Sequence, residues 1–164
     1  MPLNIAILAS GSGTNAQAMF DKAAAGVLDV NIRRVVCNRP GAKVIERAAR
    51  VGVPCLTLDH TSFPDRESFD RSMAATLQDD GVELVVLAGY MRLLTPYFLE
   101  AFAGRVLNIH PALLPSFPGV HGGADAVAYG VKLSGCTVHF VEEKVDSGPV
   151  LIQAAVPVEA GEDV

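Results

Sequence analysis

The sequence predicts an α/β fold: a doubly wound, mostly parallel sheet with helices on both faces and a C-terminal hairpin extending the sheet. Three observations predict it. Short apolar runs rich in β-branched residues recur along the chain, helix-like stretches separate the early ones, and the last two runs are joined by one short loop. The strands are expected at Leu3 to Ala9, Ile32 to Cys37, Val53 to Leu58, Leu84 to Leu87 and Val106 to His110. Each is short and nearly continuous in apolar character, as strands covered on both faces are.

The helices follow from composition and punctuation. Asn15 to Ala25 is rich in Ala, Gln and Met and stops at Gly26; Lys43 to Arg50 stops before Gly52; Arg66 to Leu77 repeats Phe69, Met73 and Leu77 along one face. Strand, helix, strand units of this kind require right-handed crossovers and place ligands at the carboxyl ends of the strands. Cys136 to Val141 and Val150 to Val158 form the expected hairpin, with Glu142 to Pro149 between them.

A length of 164 residues suits one domain, 1–164, able to bury a sizeable core. Thirteen Lys and Arg against 18 Asp and Glu leave a formal charge of -5, which works against a broad electrostatic footprint for nucleic acid. No apolar run reaches membrane-spanning length, and Met1-Pro2-Leu3-Asn4 lacks the basic, then apolar, form of a secretory leader, so a cytoplasmic protein is expected. Cys37, Cys55 and Cys136 lack metal or redox spacing and read as buried thiols.

Candidate chemistry gathers at the strand ends. After the first strand, Ser10-Gly11-Ser12-Gly13-Thr14-Asn15-Ala16 has the form of a phosphate cradle: glycines let the main chain approach an anion, and unsatisfied N–H groups at a helix start attract it. The spacing of Gly11, Gly13 and Ala16 also fits a dinucleotide fingerprint. That reading needs an acid about twenty residues on, where Cys37-Asn38-Arg39 stands instead; NAD is disfavoured, and Arg39 leaves only a phosphorylated dinucleotide open. A tight turn with no ligand is the plain alternative.

After the fifth strand, Asn108 and His110 stand two apart, so both side chains share one face and can converge on one reacting atom. An amide donor that does not titrate, beside an imidazole that does, suits a carbonyl oxygen becoming negative. Capping of the strand end is the plain alternative. Asp146, in Asp146-Ser147-Gly148-Pro149, would favour the charged imidazolium if it faced His110, although the same residues make an ordinary Asx turn. His121 and His139 read as structural or supporting. Gly89-Tyr90-Met91-Arg92-Leu93-Leu94 lands on the same rim and suits a flat amphipathic ligand, with Arg92 or Arg66 available to a carboxylate; Met73 and Met91 need only core or pocket packing.

Four ordered motifs carry a resemblance that runs the length of the chain: Ser10 to Asn15, Leu87 to Leu94, Asn108-Ile109-His110-Pro111 through Pro115, and Val138-His139-Phe140-Val141 through Pro149. With these the chain resembles the phosphoribosylglycinamide formyltransferase family, folate-dependent enzymes of purine synthesis. The resemblance implies a catalytic set of Asn108, His110 and Asp146, and a ribonucleotide phosphate held by Gly13, Thr14 and Asn15. It implies a folate site lined by Arg66, Met91, Arg92, Leu93, Leu94, Asn108, Glu142, Glu143, Lys144, Val145 and Asp146.

The implied reaction is attack of the amine of 5-phosphoribosylglycinamide on the formyl carbon of 10-formyltetrahydrofolate through a tetrahedral intermediate, with no metal and no covalent enzyme intermediate. Asn108 and protonated His110 would stabilise the oxyanion, and Asp146 would order a water that relays the proton. The implied partners are small molecules, not nucleic acid or membrane, and the protein is expected as a monomer or homodimer. Methionyl-tRNA formyltransferases and formyltetrahydrofolate hydrolases share the Asn, His and Asp set and are the nearest alternatives, followed by a nucleotide- or folate-binding homologue without turnover. The sequence departs from the family at Glu159 to Val164, where members continue into a C-terminal helical segment expected to be lacking here, and at His121-Gly122-Gly123-Ala124, to which no substrate contact is assigned.

Overall fold

A computed structural model of the chain describes residues 1–159 and 161; the end of the expected domain, at Val164, lies outside the described residues. The chain divides into two compact units, Met1–Val106 and Leu107–Val164. The first carries β1 (Leu3–Ala9), α1 (Thr14–Ala24), β2 (Val30–Cys37), α2 (Lys43–Arg50), β3 (Cys55–Thr57), a single 3-10 turn (His60–Ser62), α3 (Arg66–Asp79), β4 (Leu84–Leu87) and α4 (Pro96–Ala101). β5 (Val106–His110) begins at the boundary, and α5 (Gly122–Tyr129), β6 (Leu133–Phe140) and β7 (Val150–Pro157) follow.

In the first unit β1 pairs in parallel with β2 and β4, and β2 in parallel with β3, giving the order β3-β2-β1-β4. The chain therefore winds outward from β1 through β2 to β3 and then returns to the other side of β1. That reversal opens a crevice at the carboxyl ends of β1 and β4, where ligands of such sheets bind. Ile5 to Ala9 are at most 1% exposed, so β1 is covered on both faces, as its unbroken apolar run requires. Ile5, Ile7 and Ala9 pack with Ala16 and Phe20 of α1 and Val44 and Ala48 of α2. Phe69, Met73 and Leu77, the face expected of α3, are completely buried, as is Phe98 of α4.

The helix starts are fixed by local chemistry. The Asp65 carboxylate accepts the Ser68 N–H at 2.7 Å and caps α3, and these bonds hold its carboxyl below the usual range. Thr95 caps α4 at the Phe98 N–H, with Pro96 in the first turn where a missing N–H costs nothing. The buried carboxylate of Asp70 accepts both the N–H and the hydroxyl of Thr95 at 2.7 Å, tying α3 to the start of α4.

In the second unit β6 pairs antiparallel with β5 and with β7, so the expected hairpin is present, with β7 exposed along its length. Thr137 fixes the segment that leaves β5: its buried hydroxyl donates to Ala112 O at 2.7 Å and accepts the Leu114 N–H at 3.0 Å.

Several boundaries differ from expectation. The first helix starts at Thr14 and ends at Ala24, β2 starts at Val30, β3 is confined to Cys55–Thr57, α3 continues to Asp79, and β6 runs Leu133–Phe140. α4 and α5 were not expected from the sequence: α4 is six residues long, and α5 opens on Gly122-Gly123, poor helix formers that resemble a loop. The cysteines carry no disulfide; Cys37 is buried while Cys55 and Cys136 are half-buried, and burial pushes the Cys37 and Cys55 thiols up.

Candidate active site

In the first unit the main chain builds the feature. β1 ends into Ser10, and α1 starts after Gly13, whose φ of 71° is the left-handed conformation glycine adopts without strain. Among the described residues no side-chain cap bond is made at the start of α1, and the first-turn N–H groups of a helix have no intrahelical partner. Thr14 and Asn15, in that first turn, are exposed; Gly13 is buried, and a Cβ there would meet Val44 Cγ2 at 2.6 Å.

Ser10 joins this loop to the one after β4. Its N–H donates to Gly89 O at 3.0 Å, its hydroxyl accepts the Met91 N–H at 2.8 Å, and the same hydroxyl donates to Asn38 Oδ1. Sequence reasoning found both loops but not the buried serine and asparagine that connect them. The signal was parallel register: Ala9 pairs with Cys37, so Ser10 and Asn38 emerge side by side.

The residues expected to line a folate site in this unit share one surface. Arg66 donates to Leu93 O at 2.7 Å, the Arg92 guanidinium lies 5.1 Å from the centre of the Phe69 ring, and Met91 and Leu93 are exposed. A cleft of about 570 Å³ is lined by Arg66, Ser68, Arg71, Leu94 and Thr95, among others. Tyr90 is buried, its hydroxyl has no partner among the described residues, and that burial raises its pKa far above the ordinary value.

In the second unit side chains build the feature. Asn108 and His110 project from β5, and Asp146 approaches from the loop between β6 and β7, held by the Gly119 N–H at 2.7 Å to Oδ2. His110 Nδ1 stands 3.6 Å from Asp146 Oδ2, both side chains being less than a tenth exposed. His110 Nε2 donates to Phe117 O at 2.8 Å. Both ring nitrogens of His110 thus face oxygen acceptors.

His139, which reads from sequence as structural or supporting, belongs to this cluster. It lies opposite Asn108 in the β5 and β6 register. Its Nδ1 donates to Phe140 O at 2.9 Å, leaving Nε2 to accept the Asn108 amide at 3.2 Å. Nε2 is also 3.7 Å from Asp146 Oδ1, so both carboxylate oxygens face an imidazole. Backbone geometry supports the arrangement: Phe117 and Asp146 both have φ of 51°, outside the usual range for side-chain-bearing residues. Gly122 supplies the space, since a Cβ there would stand 2.6 Å from His110 Nε2. Glu142, Glu143, Lys144 and Val145 form the exposed run before Asp146, and His121 is the residue preceding α5.

The arrangement offers an uncharged amide donor and an imidazole beside a carboxylate, which is what stabilisation of a developing oxyanion with proton transfer requires. Comparison with known proteins points the same way. The formyl transferase family profile matches residues 3–164. The phosphoribosylglycinamide formyltransferase of Escherichia coli (strain K12) is 42% identical over 160 residues, 98% of this chain and 76% of that protein. The trifunctional purine biosynthetic protein adenosine-3 of Drosophila pseudoobscura pseudoobscura is 44% identical over 162 residues; they span 97% of this chain and 12% of that much longer protein. A crystal structure of glycinamide ribonucleotide transformylase 1 from Symbiobacterium toebii superposes with a TM-score of 0.95 at 48% identity, covering 99% of this chain and 76% of that one.

Proposed function

This chain belongs to the formyl transferase family, and from that premise we propose that it transfers a formyl group from 10-formyltetrahydrofolate to the amine of 5-phosphoribosylglycinamide in purine synthesis. The observation that carries the reading is the cluster of Asn108, His110 and Asp146, with Nδ1 of His110 3.6 Å from the carboxylate. In this reading 10-formyltetrahydrofolate supplies the one-carbon unit: a bond forms from the amine nitrogen to the formyl carbon, and the bond from that carbon to the folate nitrogen breaks. Asn108 donates to the formyl oxygen as it gains negative charge, and His110 stabilises the same oxygen once its Nε2–H exchanges Phe117 O for it. Asp146 faces the His110 ring and orders the water that carries the proton from the attacking amine to the departing nitrogen. No side chain forms a bond to substrate.

Binding is divided by chemistry. In the first unit Gly13, Thr14 and Asn15 take the ribonucleotide phosphate on backbone and side-chain donors, while Arg66, Met91, Arg92, Leu93 and Leu94 take folate. In the second unit Asn108 and the run Glu142, Glu143, Lys144, Val145 and Asp146 are the residues assigned to folate. The net charge of -5 suits small-molecule ligands held by local donors rather than a nucleic acid. No helix among the described residues is long and apolar enough to cross a membrane. The same reading gives one formyltransferase domain over 1–164, acting in the cytoplasm as a monomer or homodimer.

The test is an assay of the purified chain with 10-formyltetrahydrofolate and 5-phosphoribosylglycinamide, following the formylated product. Product dependent on both substrates is expected. A folded chain that binds both and forms none would overturn the reading.

A further inference from the structure

We propose that Arg47 is a positioning residue for the phosphate loop, setting the direction of the N–H groups that take the ribonucleotide phosphate. The inference rests on the reading of Ser10 to Asn15 as that loop. Arg47 lies on α2, where its place in the sequence suggests an ordinary solvated helix face. Its Nε instead donates to Ser12 O at 2.7 Å, and its Nη1 reaches Gln17 Oε1 on α1 at 3.3 Å. One turn earlier on α2, the Val44 N–H donates to Gly11 O at 3.2 Å. Two successive loop carbonyls are therefore bonded to the same helix.

A trans peptide is planar, with its C=O and N–H pointing in opposite directions. Turning Gly11 O toward Val44 points the Ser12 N–H away from α2, and turning Ser12 O toward Arg47 does the same for the Gly13 N–H. Two adjacent N–H groups facing one way form an anion-binding concavity at the start of α1, with the helix dipole behind it. Among the described residues neither N–H has a protein acceptor. Val44 holds its carbonyl through its own backbone, which any side chain leaves in place. The Ser12 carbonyl depends on one side chain, and that side chain also brings a positive charge to the loop.

Replacing Arg47 should thus loosen one N–H and remove the charge, weakening what binds through phosphate and sparing what does not. The experiment compares the wild-type chain with Arg47→Met and Arg47→Lys. It measures KM for 5-phosphoribosylglycinamide, KM for 10-formyltetrahydrofolate, kcat, and the inhibition constant of inorganic phosphate against the ribonucleotide. For Arg47→Met, both phosphate-dependent constants should rise about tenfold, the loss of one charge-assisted bond, with kcat and the folate KM within about twofold. Arg47→Lys keeps the charge but cannot reach both acceptors with one rigid fork, and should fall between the two. Should Arg47→Met not fold, the lysine variant decides by the same ratio. Phosphate-dependent constants within twofold of wild type would overturn the role of Arg47 alone, as would equal losses in both KM values. Failure of inorganic phosphate to compete in the wild-type chain would overturn the loop reading and this inference together.

Discussion

At the end of β1 the groups that the proposed reading assigns to a ligand are main-chain N–H groups, with Gly11 O and Ser12 O bonded to α2. At the end of β5 they are side chains, Asn108 and His110, turned by bonds to His139 and to Phe117 O. Each region relies on a glycine, in a different way. Gly13 provides a left-handed conformation and lets the loop press against Val44; Gly122, with no such conformation, provides the volume in which the His110 ring sits. A site of backbone donors needs its carbonyls anchored, whereas a site of side chains needs its rings walled. Damage to the first should therefore appear in binding and stability, and damage to the second in turnover.

The largest separation of the two is expected from Gly122→Ala. Its methyl would fall 2.6 Å from both His110 Nε2 and Phe117 O, breaking the bond that aims the ring. Steady-state kinetics should show kcat reduced about a hundredfold with KM values little changed, the cost typical of a misplaced catalytic group. A variant with near-normal kcat would show that ring placement is not limiting. Gly13→Ala is the counterpart. A φ of 71° and a contact of 2.6 Å with Val44 Cγ2 should together cost about 2 to 4 kcal/mol in a urea titration. The surviving folded protein should bind ribonucleotide more weakly while kcat holds. A fall in kcat with unchanged KM would reverse the assignment of the two regions.

The smallest effect belongs to neither region and serves as a control. Arg34 grips Asp80 through two bonds, one of them Nη2 to Oδ1 at 2.9 Å, and holds the Asp80 carboxyl below its ordinary range. Because that pKa is lowered on folding, the pair contributes fully above the ordinary aspartate value. The contribution fades as pH falls below about 4 and through the depressed folded value. Arg34→Met should lose about 1 kcal/mol at pH 7 and less at pH 3, measured by urea titration, with kinetics unchanged. A loss that grew toward pH 3 would contradict the pairing.

What could be read in the sequence follows from the same division. The strand from Leu3 to Ala9 was legible because burial of Ile5 to Ala9 on both faces leaves an unbroken apolar run there. The loop after it was legible because glycine spacing is itself the signal of a backbone site. Asn108 and His110 were legible as a pair because strand periodicity puts positions two apart on one face. The supports were not. Arg47 carries nothing in its own neighbourhood to distinguish it from Arg50 three residues along the same helix; its bond to Ser12 exists only once α2 packs beside the loop. His139 depends on antiparallel register to meet Asn108, and register is a property of two strands. Gly122 and Gly123 look like a loop by propensity, and the reason for a glycine at 122 is a ring twelve residues earlier in the chain.

The most direct measurement is single-turnover formyl transfer by His110→Ala and Asp146→Ala with both substrates saturating, alongside circular dichroism to verify folding. If the β5 cluster carries the chemistry, each variant should retain its fold and transfer formyl roughly a hundred to a thousand times more slowly than the wild-type chain. Folded variants that transfer at a rate within about threefold of wild type would contradict it.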